Sequence, residues 1–145
     1  MKHKTIVFLC FVFDVFVTCC GTCQTLSAKA NVANENFIEF LQRFSWDNKF
    51  QLDRTKFPLQ SVSLDESLAG TVTTYVKKSD WKLVSFFQRD QPSYGQIYDN
   101  FNNKMRDTNE RVFAWHGLGN GIQRFYYFKR IDGRWYLIKQ EDLST

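Results

Sequence analysis

Apolar and polar positions change their period along this chain, and the changes mark out its elements. Phe37, Phe40, Leu41 and Phe44 recur at the spacing of one helical face, which predicts an amphipathic helix. Asn34 or Asn36 is its expected cap, with Glu35 and Glu39 near the positive end of the dipole. A second short helix is expected from Asp47 to about Arg54, and Pro58 biases Phe57 toward extended backbone. Strand character follows at Phe57–Leu64, Val72–Val76, Trp81–Phe87 and Tyr94–Tyr98, interrupted by Lys77-Lys78-Ser79-Asp80 and by the loop 88–93. Asn100–Glu110 is polar and reads as a long loop. Three strands close the chain, at roughly 112–118, 122–131 and 134–141. Gly117, Gly119, Asn120 and Gly121 make the first turn between them. Asp132-Gly133 makes the second, a strong hairpin signal because a type I′ turn needs positive φ at both central residues.

The closing strands are apolar on both faces. Phe125 and Tyr127 oppose Tyr126 and Phe128, and Trp135 and Leu137 oppose Tyr136 and Ile138. A sheet with one wet face alternates more cleanly, so something should cover each side. Helices followed by a run of antiparallel strands predict an α+β domain with the helices on one face. A dimer partner or a folded-back segment is expected on the other.

The first residues have a different pattern. Lys2, His3 and Lys4 precede an apolar run, Ile6–Val17, and then the small residues Thr18-Cys19-Cys20-Gly21-Thr22. That order predicts a secretory signal over 1–23, too short for a membrane-spanning helix, with Asp14 as a departure inside the apolar run. All four cysteines, Cys10, Cys19, Cys20 and Cys23, fall within it, so the folded body has none and must be held by its core. Val17-Thr18-Cys19-Cys20 resembles the lipobox of bacterial lipoproteins, which makes Cys20 the lipidation candidate; ordinary cleavage near Ala28-Lys29-Ala30 is the alternative. Residues 24–34 read as a tether and 35–145 as one domain. The expected location is the periplasm or an envelope membrane of a gram-negative bacterium, anchored by lipid if Cys20 is modified.

Charge and composition narrow the chemistry. The net charge of +4 falls to +3 once Lys2, Lys4 and Asp14 are removed. Lys77, Lys78, Lys82, Arg124, Arg130 and Arg134 are interleaved with Asp80, Asp132, Glu141 and Asp142, which predicts a mixed solvated face and no nucleic-acid partner. His116 alone remains outside the leader as a histidine, so no metal site and no cofactor are expected. No Gly-x-Ser-x-Gly elbow is present, and the Gly117–Gly121 run precedes a strand where a phosphate loop would precede a helix. The chain is rich in rings, with 15 Phe, 4 Trp and 6 Tyr. Trp81, Tyr94, Tyr98, Trp115 and Tyr126 are the candidates to line a pocket.

From Phe37 to Leu143 the chain resembles an uncharacterised bacterial envelope family with the cone-shaped fold of nuclear transport factor two-like proteins. The resemblance rests on Phe37-x-x-Phe40-x-x-x-Phe44, on Phe50-Gln51-x-x-Arg54-x-x-Phe57-Pro58-Leu59, on Trp81 and Tyr94, and on Tyr127-Phe128, Asp132–Leu137 and Glu141-Asp142. It implies N-terminal helices packed in the concave face of a strongly bent antiparallel sheet, with a pocket at the open end and a dimer across the outer face. It transfers no catalytic residues. The leading expectation is a non-enzymatic domain binding a small apolar ligand or an envelope protein. The alternatives are an isomerase- or hydratase-like enzyme using His116 as general base, and a dimeric scaffold module.

Overall fold

The computed structural model describes residues 34–86 and 92–145. The expected leader with Cys20, and the tether as far as residue 33, lie outside the described residues. Helix α1, Phe37–Phe44, starts where Asn36 Oδ1 accepts the backbone N–H groups of Ile38 (2.8 Å) and Glu39 (3.2 Å). Helix α2, Asn48–Asp53, is capped by Asp47, whose side chain accepts the Phe50 N–H at 2.9 Å. That hydrogen bond, helped by Arg43, holds the Asp47 carboxyl below the usual carboxylate range.

Six strands follow: β1 Thr55–Leu64, β2 Thr71–Val76, β3 Ser93–Tyr98, β4 Glu110–Gly117, β5 Gln123–Ile131 and β6 Arg134–Asp142. They form one curved, unclosed sheet in the order β2-β1-β6-β5-β4-β3. Asp132 (φ 47°) and Gly133 (φ 75°) both adopt positive φ in the β5–β6 turn, as the hairpin signal requires.

Two expectations need correction. The sheet is mixed, because β1 runs parallel to β6 while every other pairing is antiparallel. Parallel neighbours need a long crossover, and the whole β2–β5 run separates these two in sequence. Trp81–Phe86 is not a strand. A short 3-10 turn at Lys78–Asp80 leads into an irregular strap whose backbone partner is a side chain. The fully buried Gln51 amide accepts the Val84 N–H (3.0 Å) and donates to the Val84 carbonyl (2.7 Å) and the Phe44 carbonyl (2.5 Å). Gln51 thus offers Val84 the two hydrogen bonds that a neighbouring strand would have supplied.

The core fills the concave face. Phe128, 0% exposed, receives Phe40 and Phe44 edge-on, each at 5.5 Å, and Phe37 packs edge-on against Trp135 at 5.0 Å. Burying each such ring stabilises the fold by about 1.5–3 kcal/mol. On the outer face Val112 and Ala114 are also fully buried, and Phe101 from the segment between β3 and β4 packs edge-on against Tyr127. The folded-back segment therefore covers part of this face. Arg111 holds it, pairing with Asp99 (3.3 Å) and Asp107 (3.2 Å).

Candidate functional site

Along β5 the concave side of the sheet changes from Phe128 to Tyr126 to Arg124, and along β6 from Trp135 and Leu137 to Gln140 and Asp142. Strict alternation from Trp135 would place Lys139 and Glu141 there instead. Ile138 is an extra residue between the pairs Phe128–Leu137 and Tyr127–Lys139, and this bulge turns Gln140 and Asp142 inward. Beyond the aromatic core, these polar residues and the strap line a half-open cavity of about 410 Å³. Trp81, Leu83, Val84 and Tyr126 give it apolar surface; Asp80, Lys82, Arg124, Gln140 and Asp142 give it charge and hydrogen-bonding groups.

Each polar side chain is held by its element. Arg124 Nε stands 2.8 Å from Asp142 Oδ2 on the neighbouring strand, and its guanidinium lies 5.5 Å from the ring of Trp115. Tyr126 is 4% exposed, and burial pushes its phenol up to about 12. Trp81 packs edge-on against Phe57 at 5.7 Å, which fixes its ring on the strap.

The predicted pocket residues divide between the two faces. Trp81 and Tyr126 line the cavity, and Trp115 lies fully buried beneath Arg124. Tyr94 and Tyr98 sit on β3 opposite His116 and Val112, on the outer face. His116 is there too, since it neighbours Trp115 on β4; its ring partners are Tyr94 (5.2 Å) and Phe125 (5.7 Å). Among the described residues no carboxylate hydrogen-bonds its imidazole, and it does not line the cavity. A general base needs a substrate within reach, and the cavity lies across the sheet from His116. Among the described residues no group of three His, Cys, Asp or Glu converges as a metal site requires.

Sequence reasoning missed Arg124, Gln140 and Asp142 as lining residues, and Gln51 as the holder of the wall. Alternation along β5 was one available signal, since it puts Arg124 on the face of Tyr126 and Phe128. For Asp142 the signal was hidden by the bulge.

Comparison with known proteins supports the same architecture. The family described as a domain of unknown function, DUF4348, matches residues 25–142. The chain is similar to the crystal structure of an NTF2-like protein from Bacteroides fragilis, with 25% identity and a TM-score of 0.58 over 77% of this chain and 48% of that one. It therefore spans about half the length of that protein. It is also similar to the solution structure of a protein from Bacteroides uniformis, with 19% identity and a TM-score of 0.48 over 74% of this chain and 76% of that one. No protein of curated function matches the chain. On the extent of the family match, the chain belongs to DUF4348, a domain of unknown function, and carries the nuclear transport factor two-like fold.

Proposed function

We propose that this chain is an exported, non-enzymatic binding domain whose concave cavity takes a small ligand with an apolar body and a polar head. The observation that carries the reading is the mixed lining: Trp81, Leu83 and Val84 of the strap and the Tyr126 ring give it apolar surface, and Arg124 and Gln140, next to Tyr126 on the sheet, give it polar groups. A volume of about 410 Å³ lies within the range of small-molecule sites. The mixed lining is our reason for adding a polar head to the small apolar ligand expected from the sequence. The basic, apolar and small-residue order of residues 1–23 supports export, and Cys20 supports a lipid anchor.

Native mass spectrometry of the domain purified from its own envelope tests the binding claim. The expected result is a bound small molecule that is lost when the cavity is narrowed by Val84→Trp; a domain that carries nothing and takes up no amphipathic probe contradicts it. The same instrument reads the anchor, as a mature terminus at a diacylated Cys20. An unmodified terminus at Lys29 or Asn31 contradicts the anchor.

Tyr94, half exposed on the outer face beside His116 and Phe125, favours a second role for that face as a homodimer contact. Sedimentation should then depend on concentration and revert to monomer in Tyr94→Lys. A strict monomer at all concentrations would exclude it.

A further inference from the structure

Among the described residues, three side-chain nitrogens are buried without a hydrogen-bond partner: Trp81 Nε1, Asn100 Nδ2 and Arg124 Nε. Two of these three residues line the same cavity, and both atoms are donors: Trp81 Nε1 has no partner among the described residues, and Arg124 Nε has a charge partner but no aligned hydrogen bond. A buried donor left unpaired costs about 1–3 kcal/mol, so native structures keep few of them. Arg124 Nε is close enough to Asp142 for charge attraction but lies out of line for a hydrogen bond.

The acids around the cavity, by contrast, have partners. Asp80 accepts the Ser79 hydroxyl at 2.9 Å. Asp142 faces Arg124 and accepts the Ser144 N–H at 3.2 Å. Glu141 takes the Tyr127 hydroxyl at 2.5 Å and Lys139 at 2.6 Å. Counting charges alone, three acids against Lys82 and Arg124, would suggest a cationic ligand. Counting hydrogen bonds reverses that conclusion, because an ammonium brings only donors to a cavity whose two buried side-chain atoms without a hydrogen-bond partner, Trp81 Nε1 and Arg124 Nε, are both donors.

We propose that the ligand's head is an oxygen acceptor, a carboxylate or a carbonyl, received by the Trp81 indole N–H and the Arg124 guanidinium, with its apolar body against Leu83, Val84 and the Tyr126 ring. This rests on the small-ligand reading of the cavity. Charge-assisted hydrogen bonds to a carboxylate are about twice as strong as neutral ones, so the two acceptor types are separable by affinity.

The test is calorimetric titration of the domain at neutral pH with octanoate, methyl octanoate and octylamine, which share an apolar body and differ in the head. Octanoate and methyl octanoate bind; octylamine binds at least about tenfold more weakly, the difference of one good hydrogen bond. Tighter binding of octanoate makes the head a carboxylate, and equal binding makes it a carbonyl. Trp81→Phe keeps a ring but removes the N–H, and weakens octanoate by roughly three- to tenfold. Arg124→Met provides a second variant, expected to erase any preference for octanoate over its ester. Octylamine binding as tightly as octanoate, or an affinity unchanged in both variants, overturns the acceptor-head assignment while leaving the binding cavity in place. Failure of all three probes to bind overturns both.

Discussion

The two ends of the concave face differ in how completely they satisfy themselves. At the closed end, Trp135 donates its indole N–H to the Glu35 carbonyl at 3.0 Å and its backbone N–H to the Glu35 carboxylate at 2.8 Å. Arg54 grips the same carboxylate with both Nη atoms, at 2.9 and 3.0 Å, and donates to the Trp135 carbonyl at 3.1 Å. At the open end, Trp81 is also packed against a phenylalanine, yet its indole N–H has no acceptor among the described residues. Two tryptophans with the same donor meet opposite fates. The closed end satisfies its indole donor within the fold; the open end leaves the Trp81 donor unpaired among the described residues.

The largest effect that would sharpen this contrast comes from the closed end. Phe128→Ala removes the ring on which Phe37, Phe40 and Phe44 converge, and should lower unfolding free energy by about 3–5 kcal/mol in urea denaturation. A loss under about 1 kcal/mol would show that α1 is not the cover of the core.

Gln51→Leu comes next. It leaves the Val84 N–H and two carbonyls without their partner, at roughly 1–3 kcal/mol, and its distinctive sign is local. Amide exchange at Val84 should accelerate more than exchange at Leu137. Equal acceleration would mean that Gln51 supports the whole fold and not the strap.

The pH effect is smaller and has a definite sign. Burial raises the folded Tyr126 phenol to about 12 from an ordinary value of 10, so its contribution is fully present below pH 10 and is lost as pH rises toward 12. Tyr127, raised by burial and by its bond to Glu141, acts in the same direction. Stability should therefore fall across that window by about 2 kcal/mol through Tyr126, and Tyr126→Phe should remove that part of the fall. An unchanged slope in the variant would indicate a hydrated phenol.

The same division governs what can be read from the chain. The closed end is legible because its signals are local: the Phe37–Phe44 stripe has helical period, and Asp132-Gly133 specifies the turn that sets Trp135 against Arg130. The open end is not. Trp81–Phe86 has the composition of a strand, but a buried glutamine amide takes the place of its neighbour, and Gln51 lies about thirty residues away. Asp142 reaches the cavity only because of the extra residue at Ile138, which no residue type announces. The parallel β1–β6 pairing is equally silent, since it joins the first strand to the last. Aromatic content marked pocket candidates without marking faces, so Tyr94 and Tyr98 were grouped with Trp81 although the sheet separates them.

The most direct measurement follows the two indole N–H resonances of Trp81 and Trp135 by ¹⁵N NMR during titration with octanoate. A binding cavity confined to the open end predicts a saturable shift of the Trp81 signal, at the calorimetric affinity, with the Trp135 signal fixed by its bond to Glu35. A Trp81 signal that stays still while octanoate saturates the protein, or a Trp135 signal that moves as far, would contradict the account.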